Sequence, residues 1–251
     1  MATVNEIYAQ IDRMAPFATQ MDFDNAGFLV GRGETEVKRL LVALDITEEV
    51  AGEAAELGCQ LIVSHHPVIF HPVKALTDQS VTGRILLALS ENRIAAICAH
   101  TNLDAAEGGV NDILCKLMGV QDVRPLDTLA RIGRVRATTA PQLAQTCKDV
   151  LGAHVKLVDS GKPINTLAVV GGAGGDFLPA AVAAGADALL TGEASHHVAL
   201  DAKHAGLSLL VAGHYATEMP IVPVLADKLA KRFAGTRVLC SRRNKDPFTY
   251  L

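Results

Sequence analysis

The chain has 251 residues, with 23 basic and 27 acidic side chains and a formal net charge of −4. An apolar fraction of 49% against 20% charged excludes a disordered chain, and the length suits one large or two small domains. The acidic balance argues against a chain-wide basic face for nucleic acid, and no uncharged apolar run approaches the roughly 18 residues that cross a bilayer.

The elements alternate. Thr3 and Glu6 make a capping box for a first helix that ends at Pro16. KRLLVALD (38–45) is a buried-strand run. Thr47 then caps a helix with Glu48 and Glu49 in its first turn, stopped by Gly58. Strand CQLIVS (59–64), helix 81–92, strand IAAICA (94–99) and helix 109–118 follow, and the polar stretch 121–131 reads as a crossover. Strand 133–138 and helix 141–151, with Pro141 at its start, come next. Strand 166–171, a Gly-rich turn, helix 176–184, strand 186–191, helix 194–205, strand 207–212 and a helix near 219–233 complete the pattern. Buried strands alternating with helices predict an α/β fold with largely parallel central strands.

Cys59, Cys98, Cys115, Cys147 and Cys240 are widely spaced, odd in number and form no CxxC. They read as thiols in a reducing cytoplasm rather than as a zinc finger or disulfide framework. The N-terminal MATVNEIYAQIDRMAP has helical spacing without the apolar region of a signal peptide, which agrees with a cytoplasmic location.

An internal duplication is expected. From Lys38, which opens a strand, Gly58 lies 20 positions on; from Asn165, which also opens a strand, Gly185 lies 20 positions on. Each half then runs helix, strand, His: His100 after IAAICA, and His214 after LSLLVA and Gly213. Each of these His precedes a carboxylate by four positions, Asp104 in one case and Glu218 in the other.

Nine His are somewhat many for this length, and their grouping carries the chemistry. Ser64-His65-His66-Pro67 stands where a buried strand runs out, the end at which α/β sheets bind ligands. Singly, such a pair is more often a surface feature than a ligand set, and a His with a carboxylate four residues on is more often a solvated loop. Three His-rich strand ends in one parallel sheet, the expected arrangement, change that balance. Unpaired polar groups beside a core cost roughly 1–3 kcal/mol each, so four imidazoles and two carboxylates converging there need a cation to organise them. One Zn-like ion takes about four ligands. Six candidates, His65, His66, His100, Asp104, His214 and Glu218, therefore suggest two ions sharing a bridging carboxylate, Glu218. Two such ions would hold a water between them and make it a hydroxide nucleophile at neutral pH. The donors suit Zn, Mn, Fe or Ni alike. Glu193 and His197, four apart in TGEASHH (191–197), are candidates for proton transfer or for neighbours of the ligands. GGAGGD (171–176) is a tight turn capped by Asp176 or a weak phosphate cradle, and Asp24-Asn25-Ala26-Gly27 is a turn or a loop over the site. His71, His154, His196 and His204 belong to no group.

These motifs resemble the dinuclear-metal family called GTP cyclohydrolase 1 type 2, or Nif-three-like. DNAGFLVG (24–31) is similar to its DN-x-G signature, with Phe23 where the family often has Trp. SHHP (64–67), HTNLD (100–104), GGAGGDF (171–177), TGE (191–193) and GHYATE (213–218) follow in the family's order, and DPF (246–248) resembles the end of many members. The resemblance covers essentially the whole chain. It implies two α/β lobes from the duplication, 1–124 plus 216–251 and 125–215, with mixed sheets, helices outside and the metal site between them. It also implies a ring-shaped homohexamer, with His65, His66, Asp104, His214 and Glu218 as ligands, His100 as a less constant one, and Glu193 and His197 lining the site. The activity it implies is hydrolytic opening of the purine ring of GTP. The alternative is a metal-binding chaperone or interaction scaffold without catalysis.

Overall fold

The capping box at Thr3 and Glu6 is present in the computed structural model, which describes residues 1–250. The Thr3 hydroxyl accepts from the Glu6 amide, and the Glu6 carboxylate accepts from the Thr3 amide at 2.8 Å. After strand β1 (Ala2–Thr3), helix α1 (Val4–Met14) buries Val4, Ile7 and Ile11, one stripe of an amphipathic helix. Strands β2 (Gly27–Val30), β3 (Glu36–Val37) and β4 (Arg39–Ala43) follow. Helix α2 (Glu48–Glu56) is capped by the Thr47 side chain, as its sequence predicts. Strand β5 (Leu61–Ser64), helix α3 (Val81–Glu91), strand β6 (Ala95–Cys98) and the short helix α4 (Thr101–Ala105) come next.

The chain continues through α5 (Val110–Leu117), β7 (Gln121–Pro125), β8 (Arg131–Thr138), α6 (Ala140–Leu151) and β9 (Lys156–Val158). Then come β10 (Ile164–Val170), α7 (Leu178–Ala183), β11 (Ala188–Thr191), α8 (His196–Ala205), β12 (Ser208–Val211) and the five-residue α9 (His214–Glu218). Helix α10 (Ile221–Arg232) and strand β13 (Arg237–Cys240) end it. None of the described helices is long and apolar enough to cross a membrane.

Two units result. Unit 1 is Met1–Ala106 with Ile221–Lys245, and unit 2 is Glu107–Pro220 with Asp246–Leu251. The first cut falls at 106/107 rather than after 124, because α5 turns Leu114 and Cys115 into the core formed by Leu143, Leu167 and Leu190. The second falls at 220/221 rather than after 215, so the short helix α9 stays with β12. The final residues also belong to unit 2, where the Tyr250 ring stacks on His154 at 4.0 Å.

Unit 1 is built on a five-stranded sheet, β13-β4-β5-β6-β2, with β13, β4, β5 and β6 parallel and β2 antiparallel at the edge. Leu41, Ile62, Val50, Ala54, Ile85 and Leu89 pack α2 and α3 onto it. The turn or loop expected at 24–27 leads into strand β2, which the sequence pattern does not mark. Its four residues, GFLV, are too few to display a period of two, and its pairing with β6 shifts register between Phe28 and Val30. Unit 2 carries a six-stranded sheet, β7-β8-β10-β11-β12-β9, in which β10, β11 and β12 are parallel and the outer pairs antiparallel. The supposed crossover 121–131 contains the edge strand β7, whose residues are all exposed and so lack any apolar period. The architecture is α/β with mixed sheets. In each unit a β-α-β-α-β run makes three consecutive parallel strands, β4-β5-β6 and β10-β11-β12, and a His follows the third of them.

Candidate metal centre

In unit 1 the parallel strands β5 and β6 end side by side, with Ser64 paired to Cys98. That register delivers His65 and His66 from one strand and His100 from the next. The three ring centroids lie 5.0 to 5.5 Å apart, and each imidazole can offer a nitrogen within 4.8 Å of the other two. His65 is 1% exposed. The turn of α4 brings Asp104 round until its carboxylate stands 3.6 Å from His65 Nε2.

Each ring is held from behind. His65 Nδ1 donates to the Ala99 carbonyl at 2.8 Å, and a carbonyl can only accept, so the proton is on Nδ1. His66 Nδ1 faces Asp45 Oδ1 at 2.7 Å, and His100 Nδ1 faces Asp24 Oδ1 at 2.8 Å. Both partners are carboxylates, which accept in the same way. In the neutral imidazole, a proton on Nδ1 makes Nε2 the nitrogen with the lone pair that a cation binds. Oxygen acceptors on the far nitrogen are the usual means of fixing tautomer and ring plane in metal-ligating histidines.

The carboxylates behind the rings are themselves fixed. The Asp24 side chain is fully buried. It accepts from the Thr101 amide at 3.0 Å and from the Thr101 hydroxyl as well as from His100. Burial alone would raise its pKa, but those hydrogen bonds outweigh it and hold the carboxyl down at about 2. Asp45 is oriented by Asn244, whose Nδ2 donates to Asp45 Oδ2 at 3.2 Å while its Oδ1 accepts from the Leu44 and Asp45 amides. Asn244 is in turn held by Ser241, and the Ser241 to Arg243 loop is pinned by the buried carboxylate of Glu53.

In unit 2 His214 opens α9, one residue after Gly213, whose φ of 91° only glycine adopts easily. One turn of helix brings Glu218 Oε2 to 3.0 Å from His214 Nε2, and Glu193 Oε1 accepts from His214 Nδ1 at 3.0 Å. The pattern of unit 1 recurs: an oxygen behind the ring, a carboxylate beside its Nε2. Glu218 is 4% exposed. It fits because residue 172 has no side chain; a Cβ there would stand 2.1 Å from Glu218 Oε1 and 3.2 Å from His214 Nε2. Gly192 is equally confined, with the Gly172 carbonyl and Thr217 Oγ1 each 2.7 Å from where its Cβ would be. The Gly-rich turn therefore makes room for the His214–Glu218 pair. Its Gly171, Gly172 and Gly174 amides donate to Asn111, Thr217 and Thr191, so they are not arrayed for a phosphate.

The structure thus gathers His65, His66, His100 and Asp104 in unit 1, and His214, Glu218 and Glu193 in unit 2. His197 is exposed near the start of α8, its ring against Ser195 Oγ at 3.0 Å. Three participants carry little sequence signal. Asp24 stands in a short DN turn, Asp45 closes the strand-like run 38–45, and Asn244 lies 199 positions from the Asp45 it orients. The donor set, imidazoles with carboxylates and no thiolate, fits a borderline divalent cation.

The family model described as Duf34/NIF3 (NGG1p interacting factor 3) matches residues 2–247. A Clostridium perfringens relative named GTP cyclohydrolase 1 type 2 homolog is 35% identical, covering 99% of each chain. A Helicobacter pylori relative named GTP cyclohydrolase 1 type 2 is 32% identical over 91% of this chain and 92% of its own. Among solved structures, a Staphylococcus aureus hypothetical protein has a TM-score of 0.93 at 30% identity, with 99% of each chain covered. A Bacillus cereus protein related to NIF3 reaches 0.94 at 24% identity, covering 100% of this chain and 99% of its own, and so attests the fold. The sequence, the α/β architecture and these matches together place the chain in the Duf34/NIF3 family.

Proposed function

We propose that this chain is a dinuclear metal-dependent hydrolase acting on a nucleotide or related heterocycle. The observation that carries the reading is the common geometry of four imidazoles, each with Nδ1 committed to an oxygen and Nε2 presented forward. His65, His66, His100 and Asp104 with His214 and Glu218 would hold two divalent cations, Glu218 serving both. When bound, such a pair supplies Lewis acidity and a water acidic enough to ionise near neutral pH.

The chain's own residues do the rest. Asp24, Asp45, Glu193 and the Ala99 carbonyl fix the imidazole tautomers and planes. Glu193, with its side chain 55% exposed beside His214, is the group for moving a proton, and His197 is the second candidate. Phe70 is 39% exposed and set edge-on to His100, with 6.2 Å between centroids. It offers an aromatic face next to the imidazoles, which suits a planar heterocycle. The relatives' name makes ring opening of GTP the first substrate to try. The β-α-β-α-β run in each unit supports an internal duplication, and the family resemblance supports a homohexameric ring working in the cytoplasm.

The test joins metal content to turnover. After metal-replete expression the protein should hold about two divalent ions per chain, and His65→Ala should hold fewer. The reconstituted wild type should turn over a member of a nucleotide panel that includes GTP, and His65→Ala should not. A full metal complement with no turnover of any nucleotide would reject the hydrolase and leave a metal carrier or scaffold. Turnover that survives in His65→Ala would remove the reaction from this site.

A further inference from the structure

We propose that unit 1 carries a second ligand site, for a phosphate-bearing small molecule, in the cavity between α1 and the end of α10. The cavity has a volume of about 490 Å³ and is lined by Glu6, Ala9, Arg13, Arg232, Phe233 and Thr236, among others. None of these residues belongs to the metal centre. The volume is within the range of small-molecule sites, roughly 300–1,000 Å³, and larger than a bare oxyanion needs.

The charge arrangement identifies the ligand. Arg13 Nη2 and Arg232 Nε both donate to one neutral acceptor, Gln10 Oε1, at 2.9 and 3.3 Å. Two guanidinium groups therefore meet at a single amide oxygen, which satisfies one donor of each and neutralises neither. Neither arginine forms an ion pair with a carboxylate among the described residues. The one acid lining the cavity, Glu6, is turned back onto the Thr3 amide and hydroxyl by the capping box. In a chain of net charge −4, two converging cations that outnumber the single lining acid, with no carboxylate bonded to either, are an anion's complement. A guanidinium presents its remaining N–H groups as a fork that matches phosphate oxygens, and two forks suit a dianion.

The walls account for the rest of the molecule. Arg232 lies over the Phe233 ring with 5.5 Å from its guanidinium carbon to the centroid, so the cation is kept in place along the aromatic face. Thr236 is tied by its hydroxyl to the Val37 carbonyl at 2.8 Å, which fixes the floor. Ala9 contributes a small apolar patch on α1. One charged end and one apolar end describe a phosphate monoester with an organic body. A free polyanion would use only the first.

Calorimetric titration at fixed ionic strength tests this, with inorganic phosphate and ribose 5-phosphate as probes against the full-length protein. Wild type should bind ribose 5-phosphate saturably and more tightly than phosphate. Arg13→Gln with Arg232→Gln should weaken ribose 5-phosphate at least tenfold, while His65→Ala should bind it as wild type does. Both arginines are exposed, and circular dichroism should show the double variant folded; the single Arg13→Gln serves if it is not. Three results overturn the site: no saturable binding by wild type, equal binding by the arginine variants, or loss of binding in His65→Ala, which would move the phosphate to the metal centre. None of these outcomes depends on the hydrolase reading.

Discussion

A histidine can ligate through either ring nitrogen, so its usefulness depends on what occupies the other. At His100 that choice rests on Asp24, a carboxylate pressed well into its ionised form by three hydrogen bonds despite its burial. Replacing Asp24 with Asn keeps the shape and removes the charge. An amide can also rotate to present its NH2 group, which would favour the opposite tautomer. Partners of this kind are typically worth about 10- to 100-fold in metal affinity. Asp24→Asn should therefore lower affinity for the divalent ion by that order in a chelator competition, with far-UV circular dichroism unchanged. Unchanged affinity would mean that His100 is oriented by its ring contacts alone, or does not ligate.

At the scale of elements the candidate ligands depend on three strand ends, those of β5, β6 and β12, on two short helices, and on a turn that must be made of glycine. Gly172 has a φ of +59° and stands where any Cβ would meet the Glu218 carboxylate. Gly172→Ala should therefore displace the His214–Glu218 pair, lowering the melting temperature and the metal content together. Gly119→Ala is the control, because Gly119 has a similar φ of +69° with nothing within 4 Å of its Cβ position. Both substitutions carry about 1 kcal/mol of backbone strain; only the first should also release metal. Equal losses in the two variants would assign the effect to strain alone. The same elements show what the sequence made legible. The His–carboxylate pairs at i, i+4 and the ends of the apolar strands are local patterns, and His65, His66, His100, Asp104, His214 and Glu218 could be named from them. Asn244 behind Asp45 could not, since its role exists only once β13 pairs with β4 and returns the chain to the start of α2. The edge strands β2 and β7 carry weak patterns for a different reason: one has only four residues, and the other is exposed throughout.

At the scale of the whole molecule, the two units distribute the five cysteines so that four are closed off. Cys59 and Cys98 are buried in unit 1, Cys115 and Cys147 in unit 2, and Cys240 is exposed on β13. Burial penalises the thiolate, so it pushes Cys59 up to about 11 and Cys98, Cys115 and Cys147 up to about 12. The thiolate is the reactive form, and its population at a given pH falls tenfold for each unit by which the pKa rises. At pH 8 a thiol of pKa 12 is ionised to about one part in ten thousand, against roughly a quarter for an unperturbed cysteine. The raised pKa and the loss of access act in the same direction, and moderate alkali leaves the buried four still protonated. A chromogenic disulfide reagent at pH 8 should therefore titrate one thiol per native chain quickly, Cys240, and all five after denaturation. Cys240→Ser should abolish the fast phase and leave four in the slow one. The slow phase should follow global unfolding for each pair, because Cys98 is buried on β6 between β5 and β2 and Cys147 lies in the apolar core of the other unit. If two thiols from one unit react in the native protein while the other two stay silent, that unit opens by itself.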